Sequence, residues 1–132
     1  METNISKKQM LLLYLKGTAI GLLVAAILLA LFALLFLNVN LSRAFCAPFA
    51  TLSVALGVVI AAWFTAYKIG DKGYKVGGII GLAFFVTVLL FSLMISHGKL
   101  TENTGFHFVI FLLSGVVGGV VGVNRKHLRK LR

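Results

Sequence analysis

Negative charge is nearly missing from this chain: three Asp+Glu stand against 13 Lys+Arg in 132 residues, and only 12% of residues are charged. Soluble domains carry roughly 25%, so there is too little polar surface here to clothe a water-facing fold. Proline occurs once, at Pro48, and cysteine once, at Cys46. A lone cysteine excludes an intrachain disulfide framework and any CxxC metal or redox pair. Also missing are GxxxxGK(S/T), HExxH and GxSxG, the patterns that cradle phosphates, hold a catalytic zinc or expose a nucleophilic serine. The chain reads as non-enzymatic, with no cofactor and no metal.

What is present is apolar: 60% hydrophobic residues and a mean hydropathy of +1.04. Four stretches, Gly17–Leu37, Phe45–Tyr67, Val76–Ile95 and Phe106–Val123, meet the length of about 17–25 residues that a bilayer core demands. None contains Asp, Glu, Lys or Arg. Ionisable groups inside a membrane mark pathways and sites, so their absence argues against proton coupling, intramembrane proteolysis and carboxylate ion sites. The connections NVNLSRA, KIGDKGYK and SHGKLTENTG are short and polar, which makes consecutive helices antiparallel neighbours. The first stretch exceeds the apolar region of about 7–15 residues in a signal peptide and lacks a small-x-small cleavage site, so it reads as a retained span. The expected fold is all-α: one integral membrane four-helix bundle over residues 1–132.

The cations set its orientation. Lys7, Lys8, Lys16, Lys68, Lys72, Lys75, Arg125, Lys126, Arg129, Lys130 and Arg132 fall on one side, against Arg43 and Lys99 on the other. Eleven against two predicts both termini in the cytoplasm. Trp63 and Tyr67 then sit at the cytoplasmic end of the second span, where interfacial aromatics belong, and Pro48 falls in that span's first turn, where its missing N–H costs nothing. On a soluble chain a net charge of +10 would suggest nucleic acid; here topology accounts for it and no nucleic acid is expected. The tail NRKHLRKLR places Arg125, Lys126, Arg129, Lys130 and Arg132 around Leu128 and Leu131. Each cation near an anionic leaflet contributes about 1 kcal/mol, so the tail is predicted to lie on anionic lipid headgroups at the cytoplasmic face. Docking to an acidic partner or to ribosomal RNA is the competing reading.

Glycine is concentrated where a water-soluble helix could least tolerate it. Gly115, Gly118, Gly119 and Gly122 fall within an arc of roughly 100° on the fourth helix, and Gly73, Gly77 and Gly81 within about 80° on the third. Weaker versions are Gly17-x-x-x-Gly21 in the first span and Ser53-x-x-x-Gly57-x-x-x-Ala61 in the second. In lipid, helices associate through close packing, and small residues let backbones approach. The stripes therefore read as helix-packing faces, closing the chain's own bundle or meeting a second copy or a different membrane protein. Thr18, Ser53, Thr65, Thr87, Ser92 and Ser114 are the buried polar candidates, expected to bond within their own helix or to a neighbour. Cys46, His97 and His107 fall near one membrane face but match no ligand spacing.

A shift of sixty residues lays Gly17, Ile20, Gly21, Leu22 and Leu29 on Gly77, Ile80, Gly81, Leu82 and Leu89. A shift of sixty-one lays Ser53, Gly57 and Val59 on Ser114, Gly118 and Val120. Two readings stand, a duplicated two-helix hairpin and the chance similarity of apolar segments.

Two patches, DKGYKVGGIIGL at Asp71–Leu82 and GGVVGVN at Gly118–Asn124, resemble a family of small four-span membrane proteins of Firmicutes that carries no assigned function. The resemblance implies a multi-pass protein of the bacterial plasma membrane and no mechanism; genes of that family often lie near accessory components of the Sec translocase. The sequence thus predicts a non-enzymatic accessory or scaffold subunit, packing against itself or another membrane protein. The alternative is an oligomeric channel or carrier for a small solute.

Overall fold

A computed structural model describes residues 6–39, 42–95, 97 and 104–131. They form four helices, α1 (Lys7–Asn38), α2 (Cys46–Ile69), α3 (Gly73–Ile95) and α4 (Thr104–Lys130), with one 3-10 turn, Arg43–Phe45, leading into α2. Each helix is long and apolar enough to cross a membrane. Two of them outrun the apolar stretches by more than a turn. α1 begins at Lys7 and not Gly17, because the segment KKQMLLLYLK consists largely of strong helix formers with no breaker. Its 32 residues span about 48 Å at 1.5 Å per residue, well beyond a hydrocarbon core of about 30 Å. α4 likewise runs through most of the basic tail to Lys130.

The turn between α2 and α3 is tight for a stated reason. Gly70 closes α2 in the left-handed region (φ 75°), and its N–H donates to the Ala66 carbonyl at 2.7 Å, a glycine cap. Two residues later the Lys72 carbonyl accepts the N–H groups of Lys75 (2.9 Å) and Val76 (3.2 Å), opening α3.

α4 packs along both α2 and α3, and α1 packs along α2 with a slight touch on α3. Among the described residues α1 and α4 do not meet. α2 is thus the neighbour shared by the other three helices, with α1 and α4 on separate flanks of it. α2 carries the most varied packing load, and the side chains it buries are mostly small: Ser53, Gly57, Val58, Ala61, Ala62, Thr65, Ala66 and Ile69. Ile80 and Phe84 of α3 complete one cluster with Val58, Ala61 and Ala62, while Ala66, Ile69 and Val76 form a second under Leu13, Tyr14 and Val123. The outward faces are rows of exposed leucine, isoleucine, valine and phenylalanine. Lipid, not water, is the solvent they suit.

The buried hydroxyls of Ser53 and Thr65 and the half-buried ones of Thr18 and Thr87 are satisfied locally. Ser53 donates to the Phe49 carbonyl (2.9 Å), Thr65 to Ala61 (2.8 Å), Thr87 to Ala83 (2.8 Å) and Thr18 to Tyr14 (3.0 Å). No buried side-chain nitrogen or oxygen among the described residues lacks a partner. Positions matched by the sixty-one-residue shift are not equivalent in packing: Gly57 lies against Gly21 and Ala25 of α1, whereas Gly118 lies against Val59 of α2.

Candidate functional site: an arginine and aromatic groove

The glycine contacts bring the site into being. A Cβ at Gly73, Gly77 or Gly81 would run into the backbone carbonyls of Gly119, Gly115 and Phe111 on α4. From the other side, Gly115 and Gly119 face α3, while Gly118 and Gly122 face the carbonyls of Val59 and Trp63 on α2. The four glycines of the α4 stripe thus divide between two neighbours on adjacent faces, while Gly105 at the start of α4 faces open space. In the other hairpin Gly17 faces Thr65, and Gly21 faces Ala61 and Gly57. Ala25 continues the same four-residue spacing and packs on Gly57, a third small position that the sequence reading left out.

Held this closely, α4 runs parallel to α2 and continues past its end. The two helix ends then form an open groove of about 940 Å³, lined by Trp63 and Tyr67 of α2 and by Arg125, Leu128, Arg129 and Leu131. An Arg129 Nη1–H donates to the Tyr67 hydroxyl at 2.9 Å. The Arg125 guanidinium stands 5.9 Å from the centre of the Trp63 ring, within cation–π range. Trp63 and Tyr67 lie with ring centroids 6.2 Å apart, so one arginine stands over an aromatic ring and the other is tied to the hydroxyl of the ring beside it. Of the chain's acidic residues Glu2, Asp71 and Glu102, Asp71 is the one described, and no described carboxylate pairs with either guanidinium.

The other tail cations divide. Lys126 donates to the carbonyls of Lys68 (3.1 Å) and Ile69 (3.5 Å). Its ammonium therefore caps the C-terminus of α2, where unpaired carbonyls and the helix dipole favour a cation. In a basic tail it looks like one more surface charge; only the parallel run of α2 and α4, with Gly122 beside Trp63, places it level with Ile69. Lys130 ends α4, and Arg132 lies outside the described residues.

At the far end of the bundle a smaller recess of about 150 Å³ opens between α3 and α4 beside Ser92, His107 and Phe111. His107 Nε2 is 3.1 Å from the Thr51 hydroxyl, joining α4 to α2. Cys46 is exposed at the start of α2, His97 lies in a turn, and no group of three metal-ligating side chains gathers among the described residues.

Four packed helices of spanning length, charged at the ends and apolar on the outside, define a small multi-pass membrane protein. The family model for proteins of unknown function, DUF3792, matches residues 10–122, and the chain belongs to that family. No curated protein matches the chain, and no solved structure does. The matched segment takes in every glycine contact described above together with Trp63 and Tyr67, and ends before Arg125.

Proposed function

We propose that the protein is a non-enzymatic accessory or scaffold subunit of the bacterial plasma membrane, multi-pass, with both termini cytoplasmic. One observation carries this reading: the helix-facing glycines are filled by the chain's own neighbours, from Gly17 against Thr65 to Gly122 against Trp63. A bundle closed on itself in this way is a compact apolar body, with its chemistry confined to its ends. The two recesses are open surface features of those ends, which suits binding better than passage of a solute. The eleven-to-two distribution of cations supports the orientation. A second copy or a foreign membrane protein would meet this body through its apolar outer faces, not through the glycine stripes.

Crosslinking in native membranes, followed by purification in mild detergent and mass spectrometry, tests the reading. The expected result is a foreign membrane protein recovered in fixed stoichiometry. Recovery of self-crosslinked copies alone, with solute flux in liposomes, would replace it with the oligomeric channel or carrier.

A further inference from the structure

We propose that the groove between the ends of α2 and α4 is a binding site for one anionic glycerophospholipid, its phosphate held by Arg125 and Arg129. The proposal deepens the partner expected above and rests on the reading that this basic end meets a lipid surface. Three features of the groove select the occupant. First, it carries two guanidiniums, and no carboxylate among the described residues pairs with either. Each guanidinium presents five N–H donors in a planar fork suited to phosphate. Arg129 gives one N–H to Tyr67, and Arg125 rests on the face of Trp63, so both heads are oriented while most of their donors are left over.

Second, the groove is not simply polar. Leu128 and Leu131 line it at 60% and 85% exposure, beyond the apolar stretch of α4. Both leucines lie at or beyond the level of the arginines along α4, so they bear on a headgroup held there and not on its acyl chains. Third, Trp63 and Tyr67 form one wall, and such rings settle at the headgroup level of a bilayer. Trp63 lies about one turn further into the span than Tyr67, so the apolar wall is on the bilayer side of the arginines, the polarity of a single phospholipid. About 940 Å³ is room for a headgroup and glycerol, with the chains passing out into the bilayer.

Trp63 is the chain's one tryptophan, so its fluorescence reports on the groove alone. The full chain is reconstituted in vesicles containing a minor fraction of brominated phosphatidylglycerol or, separately, brominated phosphatidylcholine, each as quencher. Brominated phosphatidylglycerol is expected to quench Trp63 more strongly at equal mole fraction. A cation near an anionic surface is worth about 1 kcal/mol, a factor of about five for a lipid phosphate that it contacts. Arg125→Gln with Arg129→Gln should therefore cut the preference by on the order of tenfold or more. Lys7→Gln with Lys8→Gln removes the same charge from exposed positions outside the groove and should leave the preference unchanged. Arg125→Lys with Arg129→Lys keeps charge and loses the forks, and should lose part of it even if the glutamine pair folds poorly.

Equal quenching by the two lipids in the wild-type chain would overturn the site. So would equal loss in the glutamine pair and the Lys7/Lys8 control, which would mean a diffuse surface potential. Loss of the preference on adding inorganic phosphate, at matched ionic strength, would mean a free anion and not a lipid. Symmetric vesicles expose both leaflets alike, so failure here is distinct from a wrong topology or a missing protein partner.

Discussion

The Cβ that Gly77 lacks would point into the carbonyl oxygen of Gly115, and the Cβ that Gly115 lacks would point into that of Gly77. The same reciprocity links Gly73 with Gly119, and Gly21 with Gly57. Backbones this close bring Cα–H groups onto carbonyls, a weak but recurring contact at helix interfaces. Gly78, one residue along from Gly77, faces open space with nothing within 4 Å. The pair makes a controlled test of close packing. Gly77→Ala should destabilise the bundle by about 1–3 kcal/mol, as overpacking does, and lower the thermal midpoint in detergent. Gly78→Ala should leave that midpoint unchanged or raise it. Equal midpoints for the two variants would remove the packing role of the α3 stripe.

Gly118 extends the test to the second face of α4. It is seated on the Val59 backbone of α2, where a leucine has no room without separating the helices. Gly118→Leu should lower thermal stability more than Gly77→Ala does and broaden the elution profile in detergent. Wild-type behaviour in both measurements would mean that the α2–α4 contact is not the tight one described.

Lys126 and Gly70 form a coupled pair at the end of α2. A side chain at Gly70 would strike the Lys126 stem and ammonium, and the residue already sits at φ 75°. Gly70→Ala should cost about 1–2 kcal/mol from the left-handed backbone alone, with an added loss from displacing the lysine. Lys126→Ala should cost about 0.3–1 kcal/mol, less at high salt. Because each change removes the same cap, the double variant should cost less than the sum of the two. Strict additivity in thermal unfolding would show that the lysine and the turn act separately.

How much of this was legible in the sequence differs from one element to the next. The four spans were legible because runs without a charge, such as Val76–Ile95, admit one interpretation in a bilayer. The stripes were legible as faces, but their allocation was not. Periodicity puts Gly115 and Gly118 on one arc, and only the packed bundle assigns Gly115 to α3 and Gly118 to α2. α1 and α4 run beyond their apolar stretches because hydropathy locates the membrane and not the helix, and only the helical spacing of Arg125 and Arg129 hinted at the continuation of α4. Lys7–Lys16 is polar at intervals and still helical. The groove was half visible: Trp63, Tyr67, Arg125 and Arg129 were each assigned to an interface, yet nothing local in sequence joins positions some sixty residues apart. Lys126 was hidden for the same reason.

The Thr51–His107 contact makes a prediction about protonation. The Thr51 hydroxyl lies 3.0 Å from the Ala47 carbonyl and 3.1 Å from His107 Nε2. A hydroxyl has one proton to give. If the carbonyl takes it, as for the other helix threonines, then His107 must donate from Nε2. Nitrogen NMR of labelled protein should show Nε2–H, and Thr51→Val should cost about 0.6 kcal/mol, the average for such bonds between membrane helices. A bare Nε2 would mean that the hydroxyl turns toward the histidine.

The chain's one cysteine offers a test of orientation without a cysteine-free background. Cys46 is exposed and begins α2 at the end of the bundle opposite Lys68, Lys126 and Arg129. If the eleven cations lie inside, Cys46 lies near the outer surface. A membrane-impermeant thiol reagent should label it in intact cells. A cysteine at Asp71, introduced together with Cys46→Ser, should then react only after permeabilisation, because the turn it occupies joins the lysine-bearing ends of α2 and α3 that this orientation puts inside. The opposite pattern would invert the bundle and place the Arg125–Arg129 groove at the outer leaflet. Labelling of both positions from outside would break the two-sided topology itself, since α2 crosses the full distance between them.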